Sequence, residues 1–123
     1  MIDTSKGPAR FLEFPAGRAR ATLILGHGAG GGGVAPDLQA IAEALPGHGV
    51  TVMLHEQPWK VAGKKVAPAP AVLDVGWVES LAQIRPVGRL IVGGRSAGAR
   101  VACRTASTVG ADTLRPEVAT TPP

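Results

Sequence analysis

The apolar positions of the chain fall into two kinds of run, and the two alternate. Ala21-Thr22-Leu23-Ile24-Leu25, Val50-Thr51-Val52-Met53-Leu54 and Arg89-Leu90-Ile91-Val92 are short and nearly continuous in apolar character. Runs of this kind predict strands covered on both faces, as in a parallel sheet. Between them the spacing changes. Leu38, Ile41, Ala42 and Leu45 follow the i, i+3, i+4, i+7 rule from a start at Pro36, where proline suits a first helical turn. Leu73, Trp77, Leu81 and Ile84 mark one side of a second helix over residues 71–84, and an Ala-rich run from Ala99 to Ala106 predicts a third. Phe11-Leu12-Glu13-Phe14, stopped by Pro15, predicts a short edge strand. The order strand, helix, strand, helix, strand, helix points to an α/β chain of three layers, α/β/α, around a parallel core sheet.

The breaks in the pattern set the loops. Residues 26–33 are a glycine-rich loop, Pro46-Gly47-His48-Gly49 stops the first helix, and residues 55–70 form a long basic connection with prolines. Met1 to Arg10 is polar and expected to be loose. From about Thr108 neither period survives. The pattern therefore predicts one domain over residues 8–107 and a disordered tail over 108–123.

Composition narrows the classes. With 123 residues there is room for one domain, and 45% hydrophobic residues are enough for a core. Aromatics are only 3%, so that core is mainly aliphatic. The net charge of +4 comes from scattered Lys and Arg, with no basic helix and no aromatic-interleaved stripe, so nucleic acid is not an expected partner. The one cysteine, Cys103, excludes an internal disulfide and offers no metal-ligand cluster; it is expected as a small buried helix residue. No secretory pattern and no apolar run of spanning length occurs, which predicts a cytoplasmic protein without a membrane partner. No cofactor is expected.

The chemistry is concentrated after the third strand. Gly94-Arg95-Ser96-Ala97-Gly98 is a G-x-S-x-G pattern between a predicted strand and a predicted helix. Two glycines remove the Cβ atoms that would collide across a sharp turn, Ser96 is left projecting as a nucleophile, and the Ala97 N–H faces an oxyanion. The plainer reading is a βα turn of small residues with Ser96 as an ordinary helix-starting serine. His27-Gly28-Ala29-Gly30, after the first buried strand, sits where a second oxyanion donor belongs, the N–H of Ala29. His27 itself is expected to hydrogen-bond loop backbone.

The same glycines support a rival. Gly26, Gly28 and Gly31 spell G-x-G-x-x-G, and Glu56 follows the next strand where a ribose-binding acid belongs. Against a dinucleotide, the helix starts only at Pro36, after an overlong loop, and Ser96 is left unexplained. Lys60, Lys64 and Lys65 do not complete a P-loop, which needs Gly-Lys-Ser/Thr at the helix start. His55-Glu56-Gln57-Pro58-Trp59 lies at a strand end, the edge where α/β sites form. It reads most simply as a structured loop packing Trp59.

Taken in order, Leu25-Gly26-His27-Gly28-Ala29-Gly30-Gly31, the Glu56-Gln57-Pro58-Trp59-Lys60-Val61-Ala62-Gly63 loop and Gly93-Gly94-Arg95-Ser96-Ala97-Gly98-Ala99-Arg100 resemble the α/β-hydrolase superfamily over about residues 8–112. Within it the chain is most similar to bacterial members of the dienelactone-hydrolase-like group. That group includes a testis-expressed protein and a subunit of the non-specific-lethal histone acetyltransferase complex. The resemblance implies the N-terminal half of the hydrolase fold, a Ser96 nucleophile, an oxyanion hole from Ala29 and Ala97, and a small ester or acyl substrate. The chain departs from the family in one respect. The family order is Ser, then Asp or Glu, then His, yet after Ser96 there is no His and the acids are Asp112 and Glu117. His27 and His55 leave strand ends on the same edge and are the weak candidates for a base. A truncated enzyme and a non-catalytic interaction fragment are both expectations, and Arg89 to Gly93 is expected to leave an apolar sheet edge prone to self-association.

Overall fold

The computed structural model describes residues 1–29 and 35–113. Five strands form one mixed sheet: β1 (Arg10–Phe14), β2 (Ala21–Gly26), β3 (Val50–Glu56), β4 (Arg89–Gly94) and β5 (Asp112–Thr113). Their order across the sheet is β1-β3-β2-β4-β5. β2 is central, parallel to β3 on one side and to β4 on the other, and β1 runs antiparallel along β3. The helices are α1 (Pro36–Ala44), α2 (Pro58–Val61), α3 (Pro70–Leu81) and α4 (Ala97–Val109), with a short tighter turn at Leu45–His48.

Alternation along each strand divides the core between two layers. Leu23, Leu25, Val52 and Leu54 face α1, where Leu38 and Ala42 close over them. Ile24, Met53 and Val92 face the opposite way and meet Trp77, Leu73 and Leu81 of α3 and Val101 and Ala102 of α4. Every residue of β2 is buried, as a strand sandwiched between helical layers requires. The three-layer expectation and the helix start at Pro36 agree with this architecture. No helix among the described residues is long and apolar enough to cross a membrane.

Four expectations need correction. Thr108 and Val109 continue α4, and Asp112–Thr113 pair with Ile91 and Val92, so ordered structure passes the boundary drawn at residue 107. Residues 114–123, the rest of the expected tail, lie outside the described residues. The N-terminus is docked: Ile2 bridges Ala9, and Ser5 donates through its N–H and Oγ to Glu79 of α3. Cys103 is exposed because α4 buries Gly98, Val101, Ala102 and Thr105, a spacing that leaves position 103 off the inner face. Finally, β4 is not a bare edge at Ile91 and Val92, where β5 covers it.

Candidate active site

The parallel register brings three strand ends to one place. Gly26 stands opposite His55 of β3 and opposite Gly94 of β4, so the loops that follow all leave from the same edge. This is the edge at which open α/β sheets build sites.

At that edge the chain turns from β4 into α4 through Ser96. Its backbone angles, φ 55° and ψ −117°, are unlike those of either element, and Ser96 is the only non-glycine with positive φ among the described residues. Two contacts explain the glycines around it. A Cβ on Gly94 would fall 2.5 Å from the Gly26 carbonyl oxygen, and a Cβ on Gly98 would fall on that same carbonyl and on His27 O. The Gly26 carbonyl also accepts from Arg95 N–H at 3.0 Å. The turn is therefore pressed against the end of β2, and only bare backbone fits there. Ser96 is exposed at its apex. Ala97, the first residue of α4, contributes one of the leading amides that have no acceptor inside a helix.

The loop after β2 closes over the turn. An ideal Cβ on Gly28 would sit 3.4 Å from Ser96 Cβ. Gly28, Ala29, Ala97 and Gly98 line a narrow cavity of about 10 Å³, with His27 and Trp59 beside them and Trp77 behind. Ala29 and Ala97, the two residues named for an oxyanion hole, thus border the same space. Gly30 and Gly31 lie outside the described residues.

His27 is engaged on both ring nitrogens. Nε2 accepts from the Gln57 N–H at 2.9 Å, so the proton belongs on Nδ1, which donates to the Gly28 carbonyl at 2.7 Å. Burial holds its pKa below the usual histidine value, which keeps this neutral tautomer. The bond to Gly28 O has a geometric effect. That carbonyl and the Ala29 N–H are the two ends of one planar peptide, so anchoring the first orients the second. Gln57 is the residue that sequence reasoning missed here. It is buried, and its Nε2 donates to Leu73 O at 3.0 Å, tying the loop to α3. Only its place after a strand end pointed to it.

His55 does not join the cavity. Its ring is 2% exposed, held between Phe11 (centroids 5.1 Å) and Trp77 (5.2 Å, perpendicular). Neither ring nitrogen has a hydrogen-bond partner, and burial, helped by the neighbouring His27, lowers its pKa to about 3. No hydrogen bond joins His27 or His55 to Ser96. The acids are also committed elsewhere. Asp112 pairs with Arg89 at 2.6 Å at the opposite end of β4, and Glu56 pairs with Arg10 at 2.8 Å. Glu117 lies outside the described residues. No cluster of metal-ligating side chains occurs among the described residues.

Comparison with known proteins agrees with this fold. A protein family described as an alpha/beta hydrolase domain matches residues 19–117. No curated protein matches the sequence. Among solved structures the chain is similar to an N-formylmaleamic acid deformylase from Pseudomonas putida S16, crystallised as a serine-to-alanine variant. The TM-score is 0.59 at 20% identity, over 82% of this chain and 39% of that one. The likeness is one of fold, and this chain spans about two fifths of the deformylase's length.

Proposed function

The chain belongs to the α/β-hydrolase domain family, and from that membership we propose that it acts as a serine hydrolase on a small ester or acyl substrate. We assign Ser96 as the nucleophile and the N–H groups of Ala29 and Ala97 as the oxyanion hole. The finer placement in the dienelactone-hydrolase-like group, and a cytoplasmic setting, belong to the same proposal.

The observation that carries the reading is the backbone of Ser96, φ 55° at the mouth of α4. A serine that only started a helix would take ordinary extended angles at no cost, whereas this conformation costs on the order of 1–3 kcal/mol. In the reaction Ser96 Oγ bonds to the substrate carbonyl carbon and its proton leaves to a base. The carbonyl oxygen gains the negative charge between the two amides, helped by the positive end of α4. The leaving oxygen then departs with a proton, and water releases the acyl group. His27 supports the hole as a positioning residue, through Gly28 O.

Neither His27 nor His55 is placed to take the Ser96 proton. His27 uses both nitrogens on backbone, and His55 is enclosed. Turnover by residues 1–123 is therefore expected to be about 10²–10⁴-fold below that of a serine with a base in place. The same observation favours a second reading, a hydrolase-like interaction fragment without catalysis. Hydrolysis of p-nitrophenyl acetate and labelling by a fluorophosphonate separate the two. Slow turnover and labelling that both vanish in Ser96→Ala support the hydrolase, while equal rates in parent and variant leave only the interaction reading.

A further inference from the structure

Away from the turn at Ser96 the described residues enclose a hollow of about 440 Å³ between the N-terminal turn, α2 and the start of α3. Its size is that of a small-molecule pocket, roughly 300–1,000 Å³, whereas the cavity lined by Ala29 and Ala97 is far smaller. Pro58, Trp59 and Val72 line it, and Val66 stands in its wall 80% exposed, a large apolar side chain without cover. Lys6 and Lys64 line it from opposite sides of the sequence.

The charged side chains that line the hollow, Lys6 and Lys64, have one sign. From Gln57 to Leu73 the chain carries Lys60, Lys64 and Lys65 and no Asp or Glu. No acid lines it, although Glu79 stands within electrostatic reach of Lys6. Glu79 is turned to Ser5, accepting from its N–H at 2.6 Å and its Oγ at 2.9 Å, and Glu56 is paired with Arg10, so neither carboxylate forms an ion pair with Lys6 or Lys64. An apolar floor under a cationic rim suits one class of ligand, a body that needs hiding from water joined to a single anionic head. We infer that this hollow binds an amphipathic monocarboxylate, its chain or ring against Trp59, Val66 and Val72 and its carboxylate between Lys6 and Lys64. The site does not depend on the role of Ser96. Gln57 and Trp59 are common to its lining and to that of the cavity beside Ala29 and Ala97, so the two stand back to back.

Octanoate is the probe, with octanol and octylammonium as partners of equal chain length. Calorimetry on the intact chain should give octanoate about a tenfold lower Kd than octanol, a modest preference because the lysines are exposed and screened by salt. Amide shifts should map to residues 6–8 and 57–68. The double variant Lys6→Glu, Lys64→Glu should reverse the order, with octylammonium binding best, a result that loss of folding cannot mimic. Ala62→Trp, at an exposed position beside the hollow, should block octanoate while leaving the circular dichroism unchanged. Equal affinity for octanoate and octanol overturns the inference. So does a preference that survives the charge reversal, or octanoate binding untouched by Ala62→Trp.

Discussion

At the scale of single residues the strained serine and the buried histidine make opposite kinds of demand. Ser96 holds a positive φ that a Cβ resists, so removing the side chain should help the fold. Ser96→Gly is expected to be more stable than Ser96→Ala by about 1 kcal/mol, because Gly accepts φ 55° and Ala does not. Urea unfolding of the pair measures it; equal midpoints would mean the turn relaxes in solution. Gly98→Ala should cost about 2–4 kcal/mol, since its Cβ lands on the Gly26 carbonyl. His55 carries the pH response. Its folded pKa, about 3, lies below the ordinary 6.5, so the unfolded chain binds the proton more readily between these values. Stability is full above pH 6.5 and falls on acidification towards pH 3, with a slope on the order of 1 kcal/mol per pH unit. His27, lowered in the same direction, adds to it. Denaturant titrations across this range should show the slope, and His55→Phe should flatten it. The glycine spacing around Ser96 could be read from the sequence because a backbone collision leaves its mark in residue type. The fate of His55 could not. Its identity as histidine says nothing of whether Phe11 and Trp77 enclose it.

At the scale of elements, packing outweighs surface charge. Trp77 is fully buried in α3, against His55 and under Gly26, whose Cβ would meet the indole at 3.2 Å. Trp77→Ala is expected to cost about 3–5 kcal/mol, whereas Trp77→Phe, which also removes an unpartnered buried N–H, should cost about 1 kcal/mol. Arg104 of α4 grips Asp74 of α3 with both ends of its guanidinium, at 2.8 and 2.9 Å, yet both side chains reach solvent. Arg104→Ala should therefore cost no more than about 1 kcal/mol. Thermal unfolding of the three variants orders them, and a loss for Arg104→Ala matching that for Trp77→Ala would refute the ranking. Elements with a full period were legible in the sequence: α1 from Pro36, α3 from its Leu73-Trp77-Leu81 side, and the continuous strands. α2 has four residues and β5 has two, too few to show any period. They exist because a neighbour is already there, Trp59 finding the core and Thr113 finding Val92.

For the whole molecule, the sheet edge is the feature with consequences in solution. β5 covers β4 at two positions only and itself presents an edge among the described residues. Concentration-dependent self-association is expected in sedimentation velocity, and a single monomeric species across the micromolar range would exclude it. The strand order also bears on the sequence of events as the chain is made. The central strand β2 lies early in the chain, its first parallel neighbour β3 comes soon after, and β4 follows only once α3 has been built. A β1–β2–β3 sheet with α1 can assemble before the Ser96 turn exists, and β4 then slots against the open side of β2. Closing so long a stretch of chain is slow relative to local contacts. The turn would then be among the last parts to reach its native shape, so Gly98→Ala should speed unfolding far more than it slows refolding.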